Sequence, residues 1–288
     1  MIFKLIFKSL RTRWFSTLLT IISIGLSVAL LLGVERAREG ARNSFTQSIS
    51  GVNLIVGKKG GSLNLLLYTV FRLGSPTENL SYETFENISK NDDIEYVIPY
   101  SLGDSYKGYR VVGTDDRFFQ YYQYGDKRNL AFSKGKGFED VYDVVLGSSV
   151  AAETAHKLGD KIILAHGDDV GQFQKHDNSP FKVVGSLKAT GTPVDRSVYI
   201  SLKGMTAMHI GWDSGSFNTD RKVEKGEQIN VEEITAFFVK TKSPFATLGL
   251  QRDLNEYQDE PLTAIIPGIV LSELWQSLSY VETSLKWV

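Results

Sequence analysis

Cysteine is absent from the 288 residues. That excludes disulfides, thiolate metal sites and a cysteine nucleophile, and leaves the compartment open. Net charge is nearly absent as well, with 32 basic against 33 acidic residues and a pI near 6.5. No global field draws the chain to nucleic acid, and none is expected as a partner. Serine hydrolase chemistry lacks its frame. No serine stands in G-x-S-x-G; the nearest approach, LGSSV at 146–150, lacks the second glycine, and Ser148 reads as a helix N-cap. Adjacent carboxylates such as Glu232–Glu233 fall on opposite faces of a strand and share no acid–base site.

A phosphate-binding loop is missing too, although GVNLIVGKKGGS at 51–62 has the look of one. That pattern requires four residues between its glycines and Ser or Thr after the lysine. Here Gly51 and Gly57 bracket five, and Lys59 follows Lys58.

What the sequence does have is a long apolar run. From Trp14 to Val34 there are 21 residues without a formal charge, roughly 30 Å of helix and enough to cross a bilayer core. The run exceeds a cleaved signal's apolar core, and no small-residue cleavage site follows it. Lys4, Lys8, Arg11 and Arg13 precede it without an acid, whereas Glu35, Arg36, Arg38, Glu39 and Arg42 beyond it mix signs. The basic end is expected to stay cytoplasmic and the remainder to be exported. Within residues 1–12, Phe3, Ile6, Phe7 and Leu10 share one helical face and Lys4, Lys8 and Arg11 another, which predicts a helix lying in the inner interface.

The exported part alternates strand and helix patterns. Residues 35–50 continue the helix outward. A strand at 52–56 leads to a helix at 62–72, with Ser62 as N-cap and Leu63, Leu66, Leu67 and Val70 as its buried face. Ser81 opens a further helix, and strands follow at 94–98 and 107–113. After a short aromatic helix, DDRFFQYY, come a strand at 143–147, a helix at 148–158 and strands at 161–165, 181–188 and 197–201. Residues 211–230 read as a mobile loop or boundary. A strand at 233–240, a helix after Pro244 and a strand at 262–266 return to the earlier style. Residues 267–288 form a helix with Leu271, Leu274, Trp275, Leu278, Val281 and Leu285 at near-heptad spacing and no stop signal. The fold class predicted is α+β, with strand–helix units interrupted by a strand-rich insertion.

These landmarks together resemble the membrane subunits of MacB/FtsX/LolC-type ABC transporters, over their N-terminal half. The likeness rests on the basic start and single span (Met1–Val34), GVNLIVGKKGG from Gly51, and VVLGSSVAAETAHKLGDKI at 144–162. FKVVGSLK from Phe181 with VDRSVYIS from Val194 completes it. The resemblance implies a cytoplasmic amphipathic helix at 1–13, a span at 14–34 and a stalk helix at 35–50. It further implies a porter-like subdomain at 51–114 and 231–270, an inserted strand-rich subdomain at 115–230, and a second stalk at 267–288 leading to spans beyond this chain. It implies no enzyme activity and no cofactor in the chain itself, ATP being used by a separate cytoplasmic ATPase. The expected partners are that ATPase, a second permease subunit, the lipid bilayer and a lipoprotein, peptide or amphiphile cargo, at a bacterial inner membrane. Lys8 and Arg11 lie on the side where the ATPase is sensed.

Two further readings come from the residues alone. His166 and His176 share a polar loop with Asp168, Asp169 and Asp177, a donor set suited to zinc or simply to solvent. And the chain as a whole also fits a single-span sensor that binds a ligand outside. The substrate-contacting residues are not legible.

Overall fold

The computed structural model describes residues 13–166, 174–175, 180–209 and 229–286. The amphipathic helix expected at 1–12, including Lys8 and Arg11, therefore lies outside the described residues, as does most of 211–230. The chain divides into two units, Met1–Phe45 and Thr46–Val288.

Helix α1, Trp14–Thr46, is continuous over 33 residues. Within it Trp14–Arg36 has mean hydropathy 2.4 and buries nothing; among the described residues it is the one helix long and apolar enough to cross a membrane. Thr17, Thr20 and Ser27 donate their hydroxyls to carbonyls four residues earlier, at 3.1, 2.9 and 2.9 Å. Those back-bonds occupy hydroxyls that hydrocarbon cannot solvate.

The second unit is built on a long mixed sheet. Its principal strands are β1 (Leu54–Lys58), β2 (Ile94–Tyr106), β3 (Tyr109–Thr114), β4 (Phe132–Gly135), β5 (Asp143–Leu146), β6 (Phe181–Leu187), β7 (Ser197–Ser201), β8 (Ala236–Thr241) and β9 (Leu262–Ile265). They lie in the order β9-β1-β8-β2-β3-β7-β5-β6-β4. Only β3–β7 and β5–β6 among these neighbours run parallel. The helices of this unit are α2 (Ser62–Leu66), α3 (Tyr82–Ser89), α4 (Asp116–Tyr121), α5 (Ser148–Thr154), α6 (Leu202–His209), α7 (Pro244–Asn255) and α8 (Pro267–Lys286). The α+β expectation agrees with this architecture.

Two hydrophobic cores flank the middle of the sheet. One gathers Phe85 and Ile88 of α3 and Leu250 and Leu254 of α7 against Leu54, Val97, Phe237 and Leu262. The other gathers Val111, Val144, Leu146, Phe181, Val198 and Ile200 with Met205 and Met208 of α6. Strand β2 serves both: its first half pairs with β8 and its second with β3. Side chains alternate along β8 as a pleat requires, so Phe237 enters the first core while Phe238 turns to the opposite face to meet Tyr100 and Tyr122.

Several local expectations change. Ser81 does cap α3, accepting from Glu83 N at 3.1 Å. Ser62 and Ser148 do not cap; each is the first helical residue after a glycine, Gly61 or Gly147, and neither helix has a side-chain cap. Helix α5 stops at Thr154 because Ala155 turns left-handed at φ 55°, and Asp160 then closes the following loop on the Lys157 amide. After α2 the chain widens into a π-helical turn, Leu67–Phe71, that buries Tyr68, Thr69, Val70 and Phe71. Within α2 the buried residues are Leu65 and Leu66, and Leu63, expected on the buried face, is exposed.

Candidate functional site

The π-turn ends in Arg72, a non-glycine residue with φ 62°. Such a backbone costs on the order of 1 kcal/mol or more and persists only where surroundings hold it. What holds Arg72 is its side chain, which is only 8% exposed. Nη1 donates to the Thr69 carbonyl and, at 3.2 Å, to that of Val70. These are end-of-helix acceptors that otherwise lack partners. The guanidinium also lies over the Tyr100 ring, with Cζ 5.0 Å from the centroid.

Around it stand Tyr100, Tyr122 and Tyr199, all fully buried. Phe118 packs on both Tyr122 and Tyr199, at 4.7 and 5.0 Å between centroids. Their hydroxyls donate to main-chain carbonyls: Tyr100 to Tyr68 at 3.3 Å, Tyr122 to Ser48 at 2.7 Å and Tyr199 to Val194 at 3.1 Å. Burial pushes all three phenols above their usual value, against the opposing pull of Arg72. They therefore remain neutral and supply no counter-charge, while arginine stays protonated. Tyr199 acts on the guanidinium both through charge and through a loose side-chain hydrogen bond. Nε and Nη2 nonetheless have no acceptor in hydrogen-bond geometry. A buried donor left in that state costs about 1–3 kcal/mol.

A second buried charge lies where β2 meets α6. The β2–β3 register shifts between Leu102 and Ser105, and this bulge turns Asp104 inward, where its side chain is fully buried. His209, the last residue of α6, faces it with Nε2 3.4 Å from Oδ2. The other ring nitrogen, Nδ1, donates to the Met205 carbonyl at 2.8 Å. A carbonyl and a carboxylate both accept, so the arrangement favours the imidazolium. Burial works to lower the His209 pKa, but the Asp104 hydrogen bond and charge outweigh it, aided by Met205 and Glu233, and the value rises above 6.5. A raised histidine value stabilises the fold fully below the unfolded pKa and is lost as pH climbs through the folded one. Unfolding stability is therefore expected to fall as pH rises above the ordinary histidine value, and Asp104→Asn to flatten that slope; urea midpoints at three pH values spanning neutrality check this. An equal slope in both proteins would refute the pairing.

The glycine–lysine loop after β1 is structural. Lys58 pairs with Glu260 at 2.8 Å, and Glu260 also accepts from the Ser81 amide at 3.1 Å. Burial works to raise the Glu260 carboxyl, but the hydrogen bond to Lys58 prevails and lowers it. The loop is tied down further by Lys59 N to Pro261 O and Gly60 N to Thr263 Oγ1, both at 3.0 Å.

The predicted histidines fall elsewhere. The backbone of His166 pairs with Gln174, while its side chain and all of His176 lie outside the described residues, as do Lys8 and Arg11. Among the described residues no group of three or more His, Asp or Glu side chains is placed to hold a metal. His156, just past α5, has Nε2 2.6 Å from the Tyr106 hydroxyl. Of the aromatics in and just after α4, Phe118, Phe119, Tyr122 and Tyr124 are buried, and Tyr121 is exposed and stacked on Tyr96 at 4.6 Å.

The sequence profile of the MacB-like periplasmic core domain matches residues 17–257. No curated protein matches the chain. Solved structures similar to it include the periplasmic region of MacB from Actinobacillus actinomycetemcomitans, at 14% identity and TM-score 0.49, covering 79% of this chain and 94% of that one. Another is the extracellular domain of the noncanonic ABC-type transporter YknZ from Gram-positive bacteria, at 14% identity and TM-score 0.41, covering 74% of this chain and 100% of that one.

Proposed function

Because the chain belongs to the family of ABC transporter permeases with a MacB-like periplasmic core domain, we propose that it converts the work of a separate cytoplasmic ATPase into movement of its outer domain. The observation that carries this reading is the family match running from within an unburied, apolar helix straight into the sheet-rich unit. The span contains no ionisable side chain between Trp14 and Val34, whereas solute routes through membranes usually carry some. That favours mechanical coupling over a pore.

In this reading the N-terminus is cytoplasmic at a bacterial inner membrane, and Lys8 and Arg11 lie on the ATPase side. The outer unit comprises a porter-like part, 51–114 with 231–270, and an inserted part, 115–230; the presence of two hydrophobic cores supports a two-part organisation. Residues 35–50 and 267–288 carry motion between bilayer and outer domain, and a second permease subunit completes the pair. The cargo is a lipoprotein, peptide or amphiphile gripped outside.

The test is co-purification of the full-length product with the ABC ATPase encoded beside it, reconstituted in nanodiscs. ATP turnover is expected to change several-fold when the permease is present. No association, together with unchanged turnover, removes the coupling reading and leaves a single-span sensor as the better account.

A further inference from the structure

We propose that residues 121–125 form a clasp through which movement of helix α1 reaches the inserted part of the outer unit. The inference rests on the coupling reading above and names the contact that carries it. Helix α1 ends at Thr46 and β1 begins at Leu54, so residues 47–53 are the covalent path from the apolar helix into the sheet. Burial does little to hold the first part of this link, since only Ser48 among residues 47–51 is buried. Hydrogen bonds hold it instead, and three of them involve one short segment. The Gly125 amide donates to the Gln47 carbonyl at 2.8 Å, the Tyr122 hydroxyl to the Ser48 carbonyl at 2.7 Å, and the Ser50 amide to the Gln123 carbonyl at 2.9 Å. Ser50 and Gln123 face each other as an antiparallel pair. A fourth bond comes from β2, where the Tyr96 hydroxyl donates to the Gly51 carbonyl at 2.9 Å; the Tyr96 ring is stacked on Tyr121, 14° from parallel. Gly51 itself has φ +73°, and a Cβ there would meet the Gln123 side-chain oxygen at 2.3 Å. The link turns against the segment as closely as glycine permits.

The clasp segment is itself rooted in the inserted part. Gln123 and Tyr124 pair with Asn129 and Arg128, Gln123 Nε2 donates to Asn129 Oδ1 at 2.8 Å, and the Arg128 guanidinium covers the Tyr124 ring at 4.7 Å. Just upstream, Phe118 stacks on Tyr199 of β7 at 5.0 Å, and Phe119 meets Phe132 of β4 at 5.2 Å. Past the clasp, the Asn53 amide donates to the Val239 carbonyl at 2.9 Å, and its side-chain oxygen accepts from the Thr241 amide at 3.1 Å. A displacement arriving along the chain therefore meets residues 121–125 first and β8 second. From the clasp it passes through close-packed rings to β7 and β4, where little free volume is left to absorb it. An untethered link of this length reaches about 23–25 Å when extended, slack enough to swallow a helix tilt. The clasp takes that slack away.

The experiment uses the full-length product in nanodiscs with its ABC ATPase. Tyr96→Phe combined with Tyr122→Phe removes two phenolic tethers and keeps both rings. Amide exchange in the peptide covering 47–51 is expected to quicken at least roughly tenfold, with the peptide covering β1 unchanged. The effect of the permease on ATP turnover is expected to fall by more than about half. Ser50→Cys with Gln123→Cys, added to that pair, places two thiols on directly opposed residues, within disulfide reach, in a chain that has no other cysteine. Oxidation is expected to restore slow exchange and most of the turnover effect, and reduction to abolish both. Tyrosines with a merely structural role give no reason for turnover to follow the redox state. Exchange as slow as wild type in the tyrosine variant overturns the clasp. So does a turnover effect that survives in that variant or fails to return on oxidation, and in these cases the coupling reading still stands. A wild-type permease that leaves ATP turnover unchanged removes the coupling reading, and this inference with it.

Discussion

Phe237→Ala is expected to destabilise the outer unit by about 4 kcal/mol, the largest loss of any single truncation considered for this protein. Phe237 is fully buried at the centre of the first core. It stands edge-on to Phe85 at 5.3 Å between centroids. Its strand is held on both sides, with Val56 of β1 opposite it in one ladder and Pro99 of β2 in the other. Neither neighbour can move in to fill the space without breaking main-chain bonds, so most of the cavity persists and the cost sits high in the usual range. Phe245→Ala is the control. That phenylalanine, on α7, is 90% exposed, and its loss is expected to shift stability by no more than about 0.5 kcal/mol. Urea midpoints of the three proteins, followed through tyrosine near-ultraviolet circular dichroism, check the pair. Equal midpoints for the two variants would remove Phe237 from the core.

Gly147→Ala is expected to cost about 3 kcal/mol, or a fall of roughly 6–12 °C in midpoint temperature. Its φ is −61°, so conformational freedom is not at issue. The reason is proximity: an added Cβ would lie 2.5 Å from the main-chain oxygens of both Val194 and Asp195. Those oxygens belong to a turn that cannot yield easily. The Asp195 carboxylate accepts from the Thr190 amide at 2.9 Å and the Gly191 amide at 2.7 Å, and Gly147 N itself donates to Ser197 O at 2.9 Å. A thermal melt of Gly147→Ala beside wild type is the measurement. A change under about 2 °C would mean the strand-to-helix corner is looser than drawn. Gly159, the second glycine of the same segment, works differently: it adopts φ +93° with open space around it, so its substitution strains the backbone and displaces no neighbour.

That contrast shows what could be read from residues alone. The strand, glycine, helix and second glycine of 144–162 are local signals, set by short-range propensity and spacing, and the elements lie close to where the pattern puts them. The apolar run and its helix follow from composition alone. Two helix caps differ from the sequence expectation: Ser62 and Ser148 satisfy the residue-type rule, while the adjacent glycines take the extended cap conformation instead. The candidate site was out of reach for a different reason. Arg72, Tyr100, Tyr122 and Tyr199 are far apart in the chain and meet only through strand order. Nothing in LLLYTVFR announces that its arginine is buried; an arginine after an apolar helix reads as a solvated end. Asp104 is hidden by the bulge, which reverses the face that simple alternation assigns it. His209 was visible as one of four histidines, but its partner lies 105 positions earlier in the sequence.

The thirteen-residue strand β2, shared by the two cores, has a mechanical consequence. Two bodies joined by a flexible tether can swing apart freely, whereas two joined through one unbroken ribbon must flex together like the ends of a plank. One register shift of the plank lies at its start, near Ile94, so relative tilt of the two cores falls on the irregular spot between them, the bulge beside Asp104. A pull applied at one edge of the unit therefore arrives at the other with little slack.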